Sequence, residues 1–425
     1  MADVSGERGA FVYVDVAGRP NLVGRIWSRV RKGRESATFE YDRSWLERPN
    51  RFALEPAIML TPGPYHTGLD RPMFGAIGDS APDRWGRVLM RRAERIRAEH
   101  EKRTPRTLHE IDFLMNVDDE TRAGALRFSD ADGCPFLAEA NQTRIPTLVA
   151  LPRLMSAAER ILDDQDDDSG GEDIRLLLAP GSSLGGARPK ASVLDEFGAL
   201  CIAKFPHQND TIDTVLWEAV ALKLAKKAGI ETAPSRVLKI GNKASLILKR
   251  FDRDGNNRIP FLSAMSMLGA NDNEQHTYLE IVDAIRRHGA NVTLDCVQLW
   301  RRAIFNILIS NTDDHLRNHG FLYRDIGGWS LSPAYDLNPV PTDMRPRILS
   351  TALDSEDPSA SIELALSNAA YFGLPLNSAR EIAAEISRAL LDWRDVAENT
   401  GLSRSACNRM ASAFEHQDQV KASKF

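Results

Sequence analysis

The densest chemistry in the chain lies in Asn311-Thr312-Asp313-Asp314-His315-Leu316-Arg317-Asn318, followed downstream by Tyr335-Asp336-Leu337. Asp313 and Asn318 stand in a D-x-x-x-x-N spacing, the spacing of a kinase catalytic loop. In such a loop one carboxylate orients and deprotonates an attacking hydroxyl. A second carboxylate, with the Asn amide oxygen, holds magnesium against a triphosphate. Asp313 is the candidate base, and Asn318 and Asp336 are the candidate metal ligands. Two other readings stay open on the same residues. Asp313 and Asp314 could cap helices or solvate a loop. Asp313, Asp314, His315, His319 and Asp336 could instead ligate the metal of a phosphohydrolase. No second His/Asp cluster appears elsewhere in the sequence, whereas further parts of a nucleotide site do.

Those parts lie upstream. Gly181-Ser182-Ser183-Leu184-Gly185-Gly186-Ala187-Arg188-Pro189-Lys190 sits between the apolar runs Leu176-Leu177-Leu178 and Ala191-Ser192-Val193-Leu194. A small-residue turn between two strands can offer backbone N–H groups to phosphate oxygens, or can be an ordinary hairpin turn. It is not a Walker A loop, because Ala187-Arg188 follows Gly186 where Lys-Ser/Thr would be needed. In the strand expected over 199–206, Lys204 shares a face with Leu200 and Ile202. A nucleotide phosphate would satisfy its charge there, as would water at the strand end. On the helix expected over 214–228, Glu218 falls between Val215 and Leu222 on one face. It is either the carboxylate partner of Lys204, as in the kinase clamp on α- and β-phosphates, or an ordinary exposed glutamate.

The elements that must carry these residues are readable in outline. Alternation over 11–16, a turn at Gly18-Arg19-Pro20 and a return strand over 22–27 make the first part β-rich. Asp83 can cap a helix through Arg84-Trp85-Gly86-Arg87 towards Lys102. That helix carries Arg84, Arg87, Arg91, Arg92, Arg95, Arg97, Lys102 and Arg103. It reads as a partner or nucleic-acid face, or as a solvated face with Glu94 and Glu99 in helical reach of arginines. Asp163-Asp164-Gln165-Asp166-Asp167-Asp168-Ser169-Gly170-Gly171 reads as an exposed connection. A strand ends near Leu248-Lys249-Arg250-Phe251-Asp252-Arg253. A buried helix over 296–310 delivers the chain into the catalytic segment. Strands over 321–323 and 329–331 then form a hairpin that should return Asp336 beside Asn318. From about Ser263 the chain is otherwise helical, and no internal repeat is visible.

Composition sets the bounds. The 425 residues fit two or three domains, and 43% hydrophobic with 27% charged residues is ordinary globular usage. A net charge of -5 argues against the chain clamping nucleic acid by itself. Cys134, Cys201, Cys296 and Cys407 are far apart, with no C-x-x-C pair, so structural zinc and a disulfide framework are not expected. The first ten residues contain no apolar signal core. The most apolar stretch, 296–310, carries Gln298, Arg301, Arg302 and Asn306 and is too short and too polar to span a bilayer. A soluble cytoplasmic protein without membrane association is expected.

In this order the landmarks resemble the HipA family of bacterial toxin kinases from type II toxin–antitoxin modules. The match rests on the Ser183-Leu184-Gly185-Gly186-Ala187-Arg188-Pro189-Lys190 loop, the Ile202-Ala203-Lys204-Phe205-Pro206 strand, the 248–253 run, the catalytic segment and Tyr335-Asp336-Leu337. Phe74-Gly75 and Asp83-Arg84-Trp85-Gly86 resemble the family's N-terminal region. Arg188-Pro189 stands where the best-known member has Gln-Glu, and Arg317 where a lysine is common. The resemblance implies an α/β (α+β), two-lobed serine/threonine protein kinase: a β-rich N-terminal subdomain with the basic helix (1–120), a kinase-like small lobe (121–255) and an all-helical large lobe (256–425). It implies ATP and Mg2+ as cofactors. Asp313 would be the base, with Lys204 as its catalytic companion on the phosphates. ATP would be held by Gly185, Gly186, Ala187, Arg188, Pro189, Lys190, Lys204, Glu218, Lys249, Arg250, Phe251, His315, Asn318, Tyr335 and Asp336, with backbone groups of Lys249 and Phe251 on adenine. Asn318 and Asp336 would hold the metal, and Ser183 would be the autophosphorylation site that inactivates the enzyme. Expected partners are a helix-turn-helix antitoxin of the HipB type, operator DNA mainly through it, and a translation-related protein substrate such as an aminoacyl-tRNA synthetase. The alternatives are a metal-dependent phosphohydrolase and a non-catalytic scaffold of a DNA-bound repressor complex.

Overall fold

Alternating apolar residues near the N-terminus build an antiparallel sheet from β1 (Glu7–Val16), β2 (Arg19–Arg31), β3 (Arg34–Tyr41), β4 (Pro64–His66) and β5 (Leu126–Ser129), in the order β4-β3-β2-β1-β5. The computed structural model describes residues 7–425 except 69, 134, 138–144, 164–169, 182–185, 187, 208, 273 and 325–326. The β1–β2 and β2–β3 turns are Ala17-Gly18 (φ 52° and 73°) and Lys32-Gly33 (φ 51° and 76°). Paired left-handed residues suit the strand twist of a two-residue hairpin. The first turn therefore precedes the expected Gly18-Arg19-Pro20, and Pro20 already pairs with Asp15 in the strand. Val12, Val14, Val23, Ile26 and Phe39 form the buried face.

The chain divides into two compact units, Met1–Gln208 with Asp252–Leu262, and Asn209–Phe251 with Ser263–Phe425. In the first, Asp83 caps the helix Arg84–His100, its carboxylate accepting from Trp85 N at 3.2 Å. Glu94 does not pair along the helix surface. It is buried and binds Arg103 at 2.6 Å and the Arg106 N–H at 3.0 Å. The helices Leu151–Leu162 and Gly170–Gly181 come next. Two expectations change here: Leu176-Leu177-Leu178 lies on a helix rather than a strand, and Gly170-Gly171 opens that helix rather than closing a loop. Ile174 and Leu177 are buried at helical spacing, and a short apolar run alone cannot separate the two periods. Residues 164–169 of the acidic run lie outside the described residues. β6 (Lys190–Leu194) and β7 (Leu200–Lys204) then pair antiparallel.

In the second unit the helix Thr214–Lys227, capped by Asp213, precedes β8 (Ser235–Ile240) and β9 (Lys243–Lys249), an antiparallel hairpin. The remainder is helical apart from short strands, including Val292–Leu308, Leu376–Ala389, Trp393–Thr400 and Arg404–Phe414. Trp393 and Phe414 stack at 4.5 Å, and Trp217 of the first helix packs against both rings. The molecule is thus a mixed α/β protein with antiparallel sheets and a helical C-terminal part. Among the described residues no helix is long and apolar enough to cross a membrane.

Candidate active site

The helix Val292–Leu308 buries Leu299, Trp300, Ile304, Phe305 and Ile307, so its end is fixed in the core of the second unit. Ser310 then takes a left-handed conformation (φ 53°) and donates its hydroxyl to Ala413 O at 3.0 Å, turning the chain sharply. A run of buried side-chain bonds pins the segment from Asn311 to His319. Asn311 Nδ2 donates to Asn306 Oδ1 at 3.0 Å, and Asn306 Nδ2 donates to the Tyr278 hydroxyl at 3.1 Å. That hydroxyl donates to Asp314, which also meets His319 Nε2 at 2.8 Å. Burial would raise the Asp314 pKa, but His319 and Tyr278 outweigh it and hold the carboxylate below its usual value. Arg302, fully buried and lowered to about 10 by burial, donates to Ser332 O from the same helix.

Asp313 has the opposite environment. Its side chain is 58% exposed and touches Arg345 Nη1 at 2.9 Å. Between Asp313 and Asn318 the backbone closes tightly, His315 N donating to Asp313 O at 2.9 Å and Asn318 N to His315 O at 2.8 Å. Asn318 is buried, and its Nδ2 donates to Asp313 O at 3.2 Å, so its amide oxygen is the end that could accept a metal ion. The strands Gly320–Tyr323 and Trp329–Leu331 pair as the expected hairpin, Phe321 opposite Leu331. Its outgoing end returns to the loop: Ser332 N donates to Gly320 O at 2.8 Å and the Tyr335 hydroxyl to Arg317 O at 2.7 Å. Asp336 sits at φ 59°, costly for a non-glycine residue, with Asn338 Nδ2 bonding its carbonyl at 3.1 Å and its carboxylate at 3.3 Å.

The same unit brings the end of β9 to this turn. The Phe251 and Tyr335 rings lie 5.5 Å apart, and Ala334 N donates to Glu231 O at 2.8 Å. Lys249 N donates to Pro234 O at 2.9 Å. Arg250 is buried. Glu218 is 3% exposed, which removes the reading as an ordinary surface glutamate.

In the first unit Lys190 and Lys204 are directly opposed across β6 and β7 and share a face. Leu200, Ile202 and Lys204 are half-buried while Cys201 and Ala203 are buried, as period-two alternation requires. Gly186 has φ 91°, and a Cβ there would collide with Lys190 Nζ. The Trp85 indole donates to Lys190 O at 2.9 Å, and Phe205 N to Pro189 O at 3.0 Å, so the loop's exit is anchored. Asp83, facing Lys190, is pushed up to about 7 by burial despite that lysine. Arg188 is exposed. Ser183, Gly185 and Ala187 lie outside the described residues.

Sequence reasoning missed Tyr278, Arg345 and the supporting roles of Asp83 and Trp85. The available signal was polar side chains in the apolar stretch 296–310, where Arg302 and Asn306 are buried and bonded. Among the described residues no three or more His, Cys, Asp or Glu side chains form a metal-binding group, and the Asp314 carboxylate is taken up by His319 Nε2 and the Tyr278 hydroxyl. The phosphohydrolase ligand set is therefore not assembled among them.

A family model, the HipA-like C-terminal domain, matches residues 182–413. A Sinorhizobium fredii protein named putative kinase Y4mE is 26% identical over 328 residues, 70% of this chain and 71% of its own. A Haemophilus influenzae putative kinase is 26% identical over 152 residues, 32% of this chain and 43% of its own. Among solved structures, the Shewanella oneidensis HipA complex with HipB and operator DNA aligns with a TM-score of 0.63 at 16% identity, covering 98% of this chain and 96% of that one. That likeness shows the fold. With a family model covering more than half of its length, the chain belongs to the HipA-like family.

Proposed function

We propose that this chain is a serine/threonine protein kinase that uses ATP and magnesium. The observation that carries the reading is the contrast on one pinned loop: Asp314 is consumed in buried bonds while its neighbour Asp313 is presented to solvent at D-x-x-x-x-N spacing from Asn318. In this reading Asp313 accepts the proton of the acceptor hydroxyl. Asn318 and Asp336 offer oxygen donors, the kind magnesium takes, and two protein ligands suit an ion that draws the rest from phosphates and water. Bound there, magnesium would neutralise charge on the transferring phosphates. Lys204 and residues 185–190 would contact phosphate oxygens. The Lys249 carbonyl and Phe251 N–H would meet adenine beside Tyr335, and His315 would line the site.

By analogy with the Shewanella assembly, the proposed partners are a HipB-type helix-turn-helix antitoxin and, through it, operator DNA. A toxin role, with a translation protein such as an aminoacyl-tRNA synthetase as substrate, accords with the family resemblance. Ser183 is the proposed autophosphorylation site, since about -1.5 to -2 of added charge beside bound phosphates would repel the loop. The test is incubation of purified protein with γ-labelled ATP and magnesium. A kinase retains label on protein, with peptide mass spectrometry assigning it to Ser183. Free phosphate alone would indicate a hydrolase, and no turnover a scaffold.

A further inference from the structure

We propose that Arg345 is a catalytic residue, the cation that meets the phosphoryl group in transit; this rests on Asp313 being the base of the transfer proposed above. Arg345 Nη1 lies 2.9 Å from Asp313 Oδ1, with the two side chains 49% and 58% exposed. An ion pair so exposed contributes about 0–1 kcal/mol to stability. Yet the backbone presenting Arg345 is tied down on both sides. Met344 N and Arg345 N both bond Pro341 O, at 3.0 and 3.2 Å, forming a tight turn. Before it, Thr342 N donates to Ser412 Oγ at 3.0 Å and Asp343 pairs with Arg409. After it, Arg347 donates to Ile307 O at 2.8 Å and to Asp418 at 2.7 Å. Ser350 N and Oγ both bond the carbonyl of Thr312, the residue just before Asp313, at 3.0 and 2.9 Å. The segment 341–350 and the catalytic loop are thus held in fixed register, and the guanidinium is that segment's reach to the base. Arg317, the cation on the loop itself, is turned to Asp272 at 3.1 Å.

A guanidinium beside the base would be near the phosphoryl group that the base's acceptor hydroxyl attacks, where its forked donors would match phosphoryl oxygens. In the transfer, the acceptor hydroxyl oxygen forms the new bond to the γ-phosphorus. The bond from that phosphorus to the β–γ bridging oxygen breaks, its electron pair leaving with ADP, and the hydroxyl proton passes to the Asp313 carboxylate. Only one Nη of the guanidinium is engaged by Asp313, so its remaining N–H groups can meet the phosphoryl oxygens while the pair persists, and the guanidinium itself neither gains nor loses a bond to hydrogen.

The test compares wild type with Arg345→Ala and Arg345→Lys, using label transfer from γ-labelled ATP to the protein itself. Arg345→Ala should lower kcat about 10²- to 10³-fold, the range for losing one preorganised donor. Its KM for ATP should stay within about twofold, a sign that ground-state binding is untouched. Its thermal midpoint should not move. Arg345→Lys, or added guanidinium ion on Arg345→Ala, should restore part of the rate. An Arg345→Ala rate equal to or above wild type overturns the proposal, and so does a loss that neither lysine nor guanidinium restores. If wild type transfers no label, the kinase reading itself falls, and this role with it.

Discussion

Asp313 and Asp314 are adjacent, chemically identical and put to opposite uses. The second is locked by Tyr278 and His319 under the loop; the first stands in solvent against Arg345. No local property of the pair could assign those roles, because they depend on Tyr278, which arrives from a separate helix, Tyr278–His288. The spacing to Asn318 was legible because it lies within one loop. The proposed metal-ligand duty of Asp336 can be measured directly. Asp336→Ala should weaken Mg-ATP binding at least about tenfold, since it removes one of two proposed protein ligands. Nucleotide binding without magnesium should change little. Titration calorimetry showing equal Mg-ATP affinity in wild type and variant would remove Asp336 from the metal site.

At the scale of elements, the catalytic hairpin and the helix leading into it were readable because strand alternation and a long apolar stretch are strong local signals. The helix Gly170–Gly181 was misread because three leucines in a row fit either period, and its burial comes from packing on the helices Arg84–His100 and Leu151–Leu162. Burial of Glu218 was equally invisible, since it depends on what covers that helix face. Gly186→Ala should raise the KM for ATP about tenfold, because φ 91° strains any side chain and a Cβ would push the Lys190 ammonium from its place. Gly198→Ala, at φ 78° with nothing within 4 Å, is the control and should cost only about 1–2 kcal/mol of stability. Equal KM in both variants would detach the loop from ATP. His416 bonds Leu308 O at 3.2 Å and meets Arg347 Nη1 at 3.1 Å. Burial, helped by Arg347, depresses its pKa to about 4. The unfolded chain then binds more protons between about pH 6.5 and 4, so stability falls as pH drops through that window, by about 2–3 kcal/mol. Denaturant unfolding should show this slope, and His416→Gln should flatten it; an unchanged slope would mean another group carries it.

At the scale of the whole molecule, each compact unit carries its own share of the proposed nucleotide residues: Gly186, Lys190 and Lys204 in one, Asp313, Asn318, Asp336 and Phe251 in the other. The family was legible because its landmarks occur in order along the chain, and the family model, over 182–413, covers those from the glycine loop to Tyr335-Asp336-Leu337 but not Phe74-Gly75 or Asp83-Arg84-Trp85-Gly86. The acceptor was not legible, because a kinase reads its protein substrate through surface shape that short motifs do not encode. The basic helix Arg84–His100 likewise keeps Arg84, Arg91, Arg95 and Arg97 exposed without declaring a partner. The proposed function is phosphoryl transfer with Asp313 as its base. The direct measurement is transfer of label from γ-labelled Mg-ATP by wild type and by Asp313→Ala, with ATP affinity measured alongside. Asp313→Ala should lose at least about 10²-fold in transfer rate while binding Mg-ATP within about threefold of wild type. Transfer by Asp313→Ala at the wild-type rate would contradict the assignment.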